Sequence, residues 1–313
     1  MKLCAVSVDL DEIHHYFAIH GLPAPGAAGD RSPALHAGYD VALPRIGDFA
    51  AARDLPVTLF AVGEDLARAA SAAALQALAA RGHLVENHSL GHRYDLTRLG
   101  PDAIRREVEG GAEAIARATG RRPEGFRAPG YTVSDALFDV LEELGVAFDS
   151  SVFPCPPYYL AKAAAMAGMR LRGRTSRSIL DTPRVMAAPR RPYRPGRRWH
   201  ERGRRRFLEL PVQVTPGVRL PFFGTSIGLG GPAVARALAW SSLRDPLVNL
   251  ELHLVDFLDA SDGIEALAAH QPELRVPLAK RLGALEAALD VLAHAGYAFV
   301  TLAEAAPQLA KAA

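Results

Sequence analysis

Cysteine is scarce in this chain: Cys4 and Cys155 are its two thiols, far apart, and Cys4 lies in a strand-like run. That excludes a disulfide framework and a cysteine-built zinc site, and it fits a reducing compartment. Long apolar runs are missing too. No stretch approaches the roughly eighteen uninterrupted apolar residues of a membrane-spanning helix. Residues 1–9 lead straight into a strand-like pattern, without the basic, apolar and cleavage segments of a signal peptide, so export by that route is not expected. The expected location is cytoplasmic, extending to peripheral contact at the inner face of the membrane. No internal repeat of solenoid period is present, and there is no large excess of charge: 36 Lys and Arg stand against 34 Asp and Glu, a formal net charge of +2. With 49% hydrophobic and 22% charged residues, the composition is that of a folded chain rather than a disordered one. A length of 313 residues suffices for one large α/β domain or two small ones.

The balanced charge hides an uneven distribution. Between Arg170 and Arg206 there are fourteen arginines against Asp181 and Glu201, which leaves the rest of the chain net acidic. Such a run reads either as a solvated loop or as a contact for an anionic partner: a phosphate-bearing substrate, an acidic lipid surface or nucleic acid.

Short β-branched and aromatic runs alternate with Ala/Leu/Arg segments of helical period, the pattern of βα units on a parallel sheet. Strands are expected at 3–8, 57–62, 84–87, 125–127, 146–149, 208–212, 248–253 and 298–301, and helices at 41–52, 65–80, 101–118, 134–144 and 277–295. Ser134 has the character of an N-cap and Pro101 that of a first-turn proline. The alternation breaks twice. A long Gly/Pro/Ala-rich loop is expected between Glu12 and Asp40, and an insertion carrying a short helix at about 154–206, within one catalytic domain spanning 1–313.

Catalytic groups of parallel barrels come from the C-terminal ends of the strands. Several unusual polar residues fall there: Asp9 and Asp11 after the first strand, His88 and His92 after the third, Arg127 after the fourth, Asp149 after the fifth and His253 after a late one. The H-x-x-x-H spacing of His88 and His92, read as a helical turn, places both imidazoles on one side at metal-ligand separation. One carboxylate added to them makes a two-His, one-Asp site with positions open to water and substrate. Blander readings stay open at this point: Arg127 as a strand-end ion pair, Asp149 as a turn residue, His253 as a satisfied core histidine. For His14, His15, His20 and His36 in the first loop, surface or substrate-lining roles are expected ahead of metal ligation.

In five blocks, in order, the sequence resembles the NodB-type polysaccharide deacetylases, carbohydrate esterase family four. The blocks are Ser7-Val8-Asp9-Leu10-Asp11-Glu12, His88-Ser89-Leu90-Gly91-His92, Arg127-Ala128-Pro129 followed by Gly130-Tyr131, Asp149-Ser150, and the Leu252-His253 region. Three features depart from the family pattern. Leu10 separates the acidic pair, as in a D-x-D subgroup acting on small or lipid-linked substrates as well as polymers, and Leu252 and His253 lack the intervening residue. Ser151 also stands where a tryptophan often follows the fourth block.

The resemblance implies a distorted parallel (β/α) barrel of seven or eight strands with an Arg-rich insertion. It implies Asp11, His88 and His92 as ligands of one divalent cation, zinc first, with Co, Ni, Mn and Fe as alternatives. Asp9 becomes the general base, Arg127 its partner, His253 the acid for the departing amine and Asp149 a partner of one of these charges. Pro129 and Tyr131 fall on the substrate and oxyanion side, with backbone N–H groups near Tyr131 as donors. The expected function is hydrolysis of an N-acetyl or N-formyl group from an amino sugar that is free, nucleotide-linked or lipid-linked. The alternatives are a hydrolase of a small non-sugar amide and a non-catalytic barrel holding an anionic lipid or another anionic partner. A non-haem Fe(II) oxygenase shares the triad but not the α/β pattern. Nucleic acid is disfavoured because an RNA-binding aromatic motif is absent.

Overall fold

The computed structural model describes residues 2–23, 33–180 and 182–311. Part of the expected first long loop, 24–32, and Asp181 of the basic run lie outside them. Among the described residues, eight parallel strands form one sheet: β1 (Leu3–Leu10), β2 (Val57–Ala61), β3 (Leu84–Asn87), β4 (Gly125–Phe126), β5 (Phe148–Asp149), β6 (Leu208–Glu209), β7 (Leu247–His253) and β8 (Ala298–Phe299). Their order is β6-β5-β4-β3-β2-β1-β7, and β8 pairs with the start of β1. The gap between β6 and β7 is bridged by side-chain and main-chain bonds. Gln213 donates its N–H to the Asn249 carbonyl at 3.0 Å, and the Asn249 amide donates to the Leu210 carbonyl at 2.8 Å. The result is the expected distorted parallel barrel.

Strand β1 shows how the sequence builds the site. Side chains alternate faces with period two, and Cys4, Val6, Val8 and Leu10 enter the large apolar cluster beneath the outer helices. Leu3 and Ala5 alternate with them and join Phe60, Phe148, Leu208, Leu210 and Leu247 in a separate cluster, closed by Leu302, Ala305 and Leu309 of the C-terminal helix. Ser7, Asp9 and Asp11 continue that second face, so it changes from apolar to polar along the strand. Both carboxylates therefore emerge on one side at the C-terminal end. Strand β7 repeats the pattern with Leu247, Asn249, Glu251 and His253, and its register sets Ser7 beside Glu251 and Asp9 beside His253.

The helices are α1 (Ile13–Ile19), α2 (Leu43–Ala52), α3 (Ala69–Ala80), α4 (Pro101–Thr119), α5 (Asp135–Glu143), α6 (Pro156–Leu171), α7 (Gly224–Ser241), α8 (Glu265–Ala268), α9 (Leu278–His294) and α10 (Leu302–Ala310). Ser134 caps α5 by accepting from the Leu137 N–H, and Pro101 opens α4. Three longer helices escaped the periodicity reading. Helix α1 forms where a loop was expected and is capped by Glu12, α7 carries Gly231 and Pro232 at an internal kink, and α10 contains Pro307. Gly and Pro are breaker signals in sequence, and here packing overrides them.

Segment 154–206 divides into two parts. Helix α6 buries none of its residues. Beyond it, Val185, Ala188, Trp199 and Phe207 join the cluster under α5. Several arginines are tied down in that second part: Arg190 and Arg191 both reach Asp245, and Arg205 is buried between Asp139 and Glu142. The basic run is not one solvated loop.

Candidate active site

At the C-terminal end of the sheet, Arg127 is fully buried and spends its donors on four oxygens of three residues. It donates to Asp9 Oδ1 at 2.6 Å, to Ser7 Oγ at 3.0 Å, and to the Ser150 carbonyl and hydroxyl at 2.9 and 2.8 Å. The ring of Phe60 lies 4.1 Å from its Cζ, completing the fixation of the planar group. Burial pushes the Asp9 carboxyl up, but Arg127, His88 and His253 outweigh it and hold the group below its ordinary value. Asp9 is thus an ionised carboxylate with one oxygen on Arg127 and the other, Oδ2, 3.6 Å from His88 Nε2.

Next to it, Asp11 Oδ1 lies 3.2 Å from His88 Nε2 and 3.0 Å from His92 Nε2. The ligand atoms of Asp11, His88 and His92 all fall within 4.8 Å of one another. Asp11 Oδ1 and both ring nitrogens of His92 are buried without a hydrogen-bond partner. His88 is oriented from behind: its Nδ1 is 2.8 Å from the Arg127 carbonyl, which can only accept, so that nitrogen carries the proton and Nε2 keeps its lone pair. Burial favours a neutral Asp11, yet His92 and His88 beside it hold its pKa well below the usual carboxylate range. Two imidazoles, one carboxylate, orphaned buried donor atoms and a fixed tautomer fit a divalent cation of the zinc type.

These histidines do not sit on a helical turn, contrary to the spacing argument. Ser89 and His92 have φ of 69° and 48°, a left-handed conformation uncommon outside glycine. The loop is held there from several sides. Asn87 Oδ1 accepts from the Ser89 N–H, Ser89 Oγ accepts from the His92 N–H, and the Leu90 N–H donates to the Glu107 carbonyl of α4.

On the opposite wall, His253 Nε2 lies 3.6 Å from Glu251 Oε1. Burial disfavours the imidazolium, but Glu251, Asp9 and Asp11 prevail and push His253 up to about 9. Glu251 is fully buried and accepts from the Tyr131 hydroxyl at 2.7 Å. Sequence reading passed over Glu251. The signal was its position two residues before His253 on a strand, which puts it on the same face.

Asp149 is placed differently from the other candidates. It accepts from the Ser151 N–H and hydroxyl, pairs in register with Glu209, and is absent from the cavity wall. Its link to the site is electrostatic, through Arg127. Pro129 lies outside the wall too, while Gly130 and Tyr131 belong to it. The Tyr131 N–H, expected near an oxyanion, donates to the Ala128 carbonyl at 3.2 Å.

These groups open into a cavity of about 360 Å³. Its polar side carries Asp9, Asp11, His88 and His253, and Tyr94, Tyr131, Tyr158 and Phe223 supply aromatic walls. Lys162 of α6 reaches the rim.

Residues 35–148 match the model of the polysaccharide deacetylase family. Over that span, about a third of its length, the chain is similar to polysaccharide deacetylases. That agrees with the NodB-type resemblance read from its motifs. The matched span holds His88, His92 and Arg127, while Asp9, Asp11 and His253 lie outside it. No curated protein matches the chain in sequence. In structure, the chain is similar to a protein described as a polysaccharide deacetylase from Mycobacterium smegmatis (20% identity, 99% of this chain and 91% of that one, TM-score 0.59). It is also similar to a family 4 acetyl xylan esterase from Clostridium thermocellum in complex with a cobalt ion (17% identity, 97% and 89%, TM-score 0.51). At these identities the likeness establishes the fold.

Proposed function

We propose that this chain is a divalent-cation-dependent hydrolase that removes an acetyl or formyl group from the nitrogen of an amino sugar, within one catalytic domain. The observation that carries the proposal is the ionised Asp9–Arg127 pair beside the Asp11, His88 and His92 donor set, with His253 across the same cavity. Asp11, His88 and His92 would hold the cation, and zinc suits two imidazoles and a carboxylate best. When bound, such a cation polarises an acyl carbonyl and makes water a better nucleophile at neutral pH.

The chain's own residues supply the proton transfers. Asp9, kept ionised by Arg127, accepts the proton that the attacking water loses as its oxygen bonds to the acyl carbon. His253, held cationic by the carboxylates around it, gives a proton to the amine nitrogen as the C–N bond breaks. Tyr131 and the other aromatic walls bound the space in which the sugar ring sits. A lipid-linked acceptor is the form we favour, because exposed Leu160 and Leu171 lie on helix α6, whose Lys162 reaches the cavity rim.

The test is release of acetate or formate from N-acetyl and N-formyl amino sugars, free and lipid-linked, by zinc-loaded protein. Asp9→Asn is expected to keep its zinc and to lose about 10²–10⁴-fold in turnover, the usual value of general-base assistance. A variant within threefold of wild type removes Asp9 from the base role.

A further inference from the structure

A second group of metal-type donors lies beside His92. His14 and His15 stand in the first turn of α1, and Asp65 lies in the 3-10 turn Glu64–Ala67 that follows β2. One ligand atom from each lies within 4.8 Å of the other two. The side chains of His15 and Asp65 are withdrawn from water, at 13% and 8% exposure. Their facing atoms, His15 Nε2 and Asp65 Oδ2, are 3.9 Å apart and have no hydrogen-bond partner. The His14 and His15 rings are 3.9 Å apart at their centroids, and the His15 ring is 4.3 Å from that of His92.

Two buried polar atoms that face each other beyond hydrogen-bonding distance are costly to leave without a partner. An ion between them satisfies both. Bonds of about 2.0–2.2 Å to each donor need only a modest contraction of this cluster. Two imidazoles and a carboxylate select a borderline transition metal over Mg²⁺ or Ca²⁺, which prefer all-oxygen surroundings.

We propose that His14, His15 and Asp65 form a second site for a divalent transition metal, distinct from the Asp11, His88 and His92 set. Its place in the fold gives it a role. It joins the segment after β1 to the turn after β2, and through the packing of His15 on His92 it braces the loop after β3. The site is independent of the deacylase reading, since none of its three donors lines the catalytic cavity.

The test is zinc stoichiometry. Metal-stripped full-length protein is titrated with zinc in a calorimeter, and the zinc retained after dialysis is counted by mass spectrometry. Wild type is expected to hold two zinc ions per chain. The near-isosteric Asp65→Asn and the pair His14→Ala/His15→Ala should each hold one, and so should His88→Ala/His92→Ala. Adding Asp65→Asn to the last should leave none. Far-UV circular dichroism and thermal melting establish that each variant is folded, and Asp65→Asn serves if the histidine pair is not. A single zinc in wild type that Asp65→Asn keeps and His88→Ala/His92→Ala loses overturns the second site and leaves the first standing. Two zinc ions in both wild type and Asp65→Asn also overturn it.

Discussion

Arg127 concentrates the electrostatics of the site in one residue. A buried guanidinium and a buried carboxylate tolerate each other's burial, and breaking such a pair by removing one partner commonly costs about 3–5 kcal/mol. That makes Arg127 a poor position for testing chemistry, because its loss perturbs fold and site together. Glu251 is the better probe. It lies beside His253, and replacing it by Gln keeps an acceptor for the Tyr131 hydroxyl while removing the carboxylate. The proposed mechanism uses the acid form of His253, so activity is expected to be present below its raised pKa of about 9 and lost as pH rises through it. It also uses the ionised form of Asp9, so activity is expected to fall at the acid end as pH drops through its lowered pKa. In Glu251→Gln the basic limb of the kcat/KM profile should move to lower pH while the acid limb changes little. A basic limb that stays in place removes Glu251 from control of His253.

At the scale of elements, the loop that presents His88 and His92 depends on helix α4. Gly111 of α4 faces it so closely that a Cβ there would lie 2.3 Å from Asn87 Oδ1 and 2.7 Å from the Ser89 carbonyl carbon. Those atoms belong to the group that holds Ser89 and His92 in their left-handed conformations. Gly111→Ala is therefore expected to destabilise the fold by about 1–3 kcal/mol, the usual cost of overpacking, and to weaken zinc binding at the first site. Thermal melting and calorimetric titration measure both. Unchanged zinc affinity in the variant would show that the loop keeps its shape without this contact. Strand existence was legible throughout, since short β-branched or aromatic runs alternate with segments of helical period along the chain. The loop was not. H-x-x-x-H says which residues are four apart, but positive φ at two non-glycine residues is imposed by Asn87, Ser89 and Glu107 around them.

Across the whole molecule, the basic segment separates into arginines that hold the fold and a helix that does not. Arg190, Arg191 and Arg205 are tied to acidic partners. Helix α6 instead leaves Leu160 and Leu171 at 70% and 89% exposure, with Arg170 and Arg172 exposed at its end. Apolar contact together with basic charge is what interfacial binding requires, and each engaged basic residue near an anionic surface contributes about 1 kcal/mol. Wild type is expected to co-sediment with anionic vesicles more than with neutral ones, and less at high salt. Leu160→Asp/Leu171→Asp should lose most of that binding while keeping its melting temperature, since neither side chain is packed. Equal sedimentation with both vesicle types excludes the membrane contact. No helix among the described residues is long and apolar enough to cross a membrane.

The sequence by itself determined the strand ladder, the D-x-D pair on one strand face and the ordered polar strand ends, because those follow from local periodicity and parallel βα connectivity. Tertiary structure decided the rest. Asp9 meets Arg127 across 118 residues, and Tyr131 meets Glu251 across 120. Asp149 is turned to Ser151 and Glu209 rather than to the cavity, and Arg190, Arg191 and Arg205 of the arginine-rich run are drawn into ion pairs with α5 and with Asp245. Which buried charge finds which partner depends on distances between elements far apart in the chain, and local spacing carries no record of them.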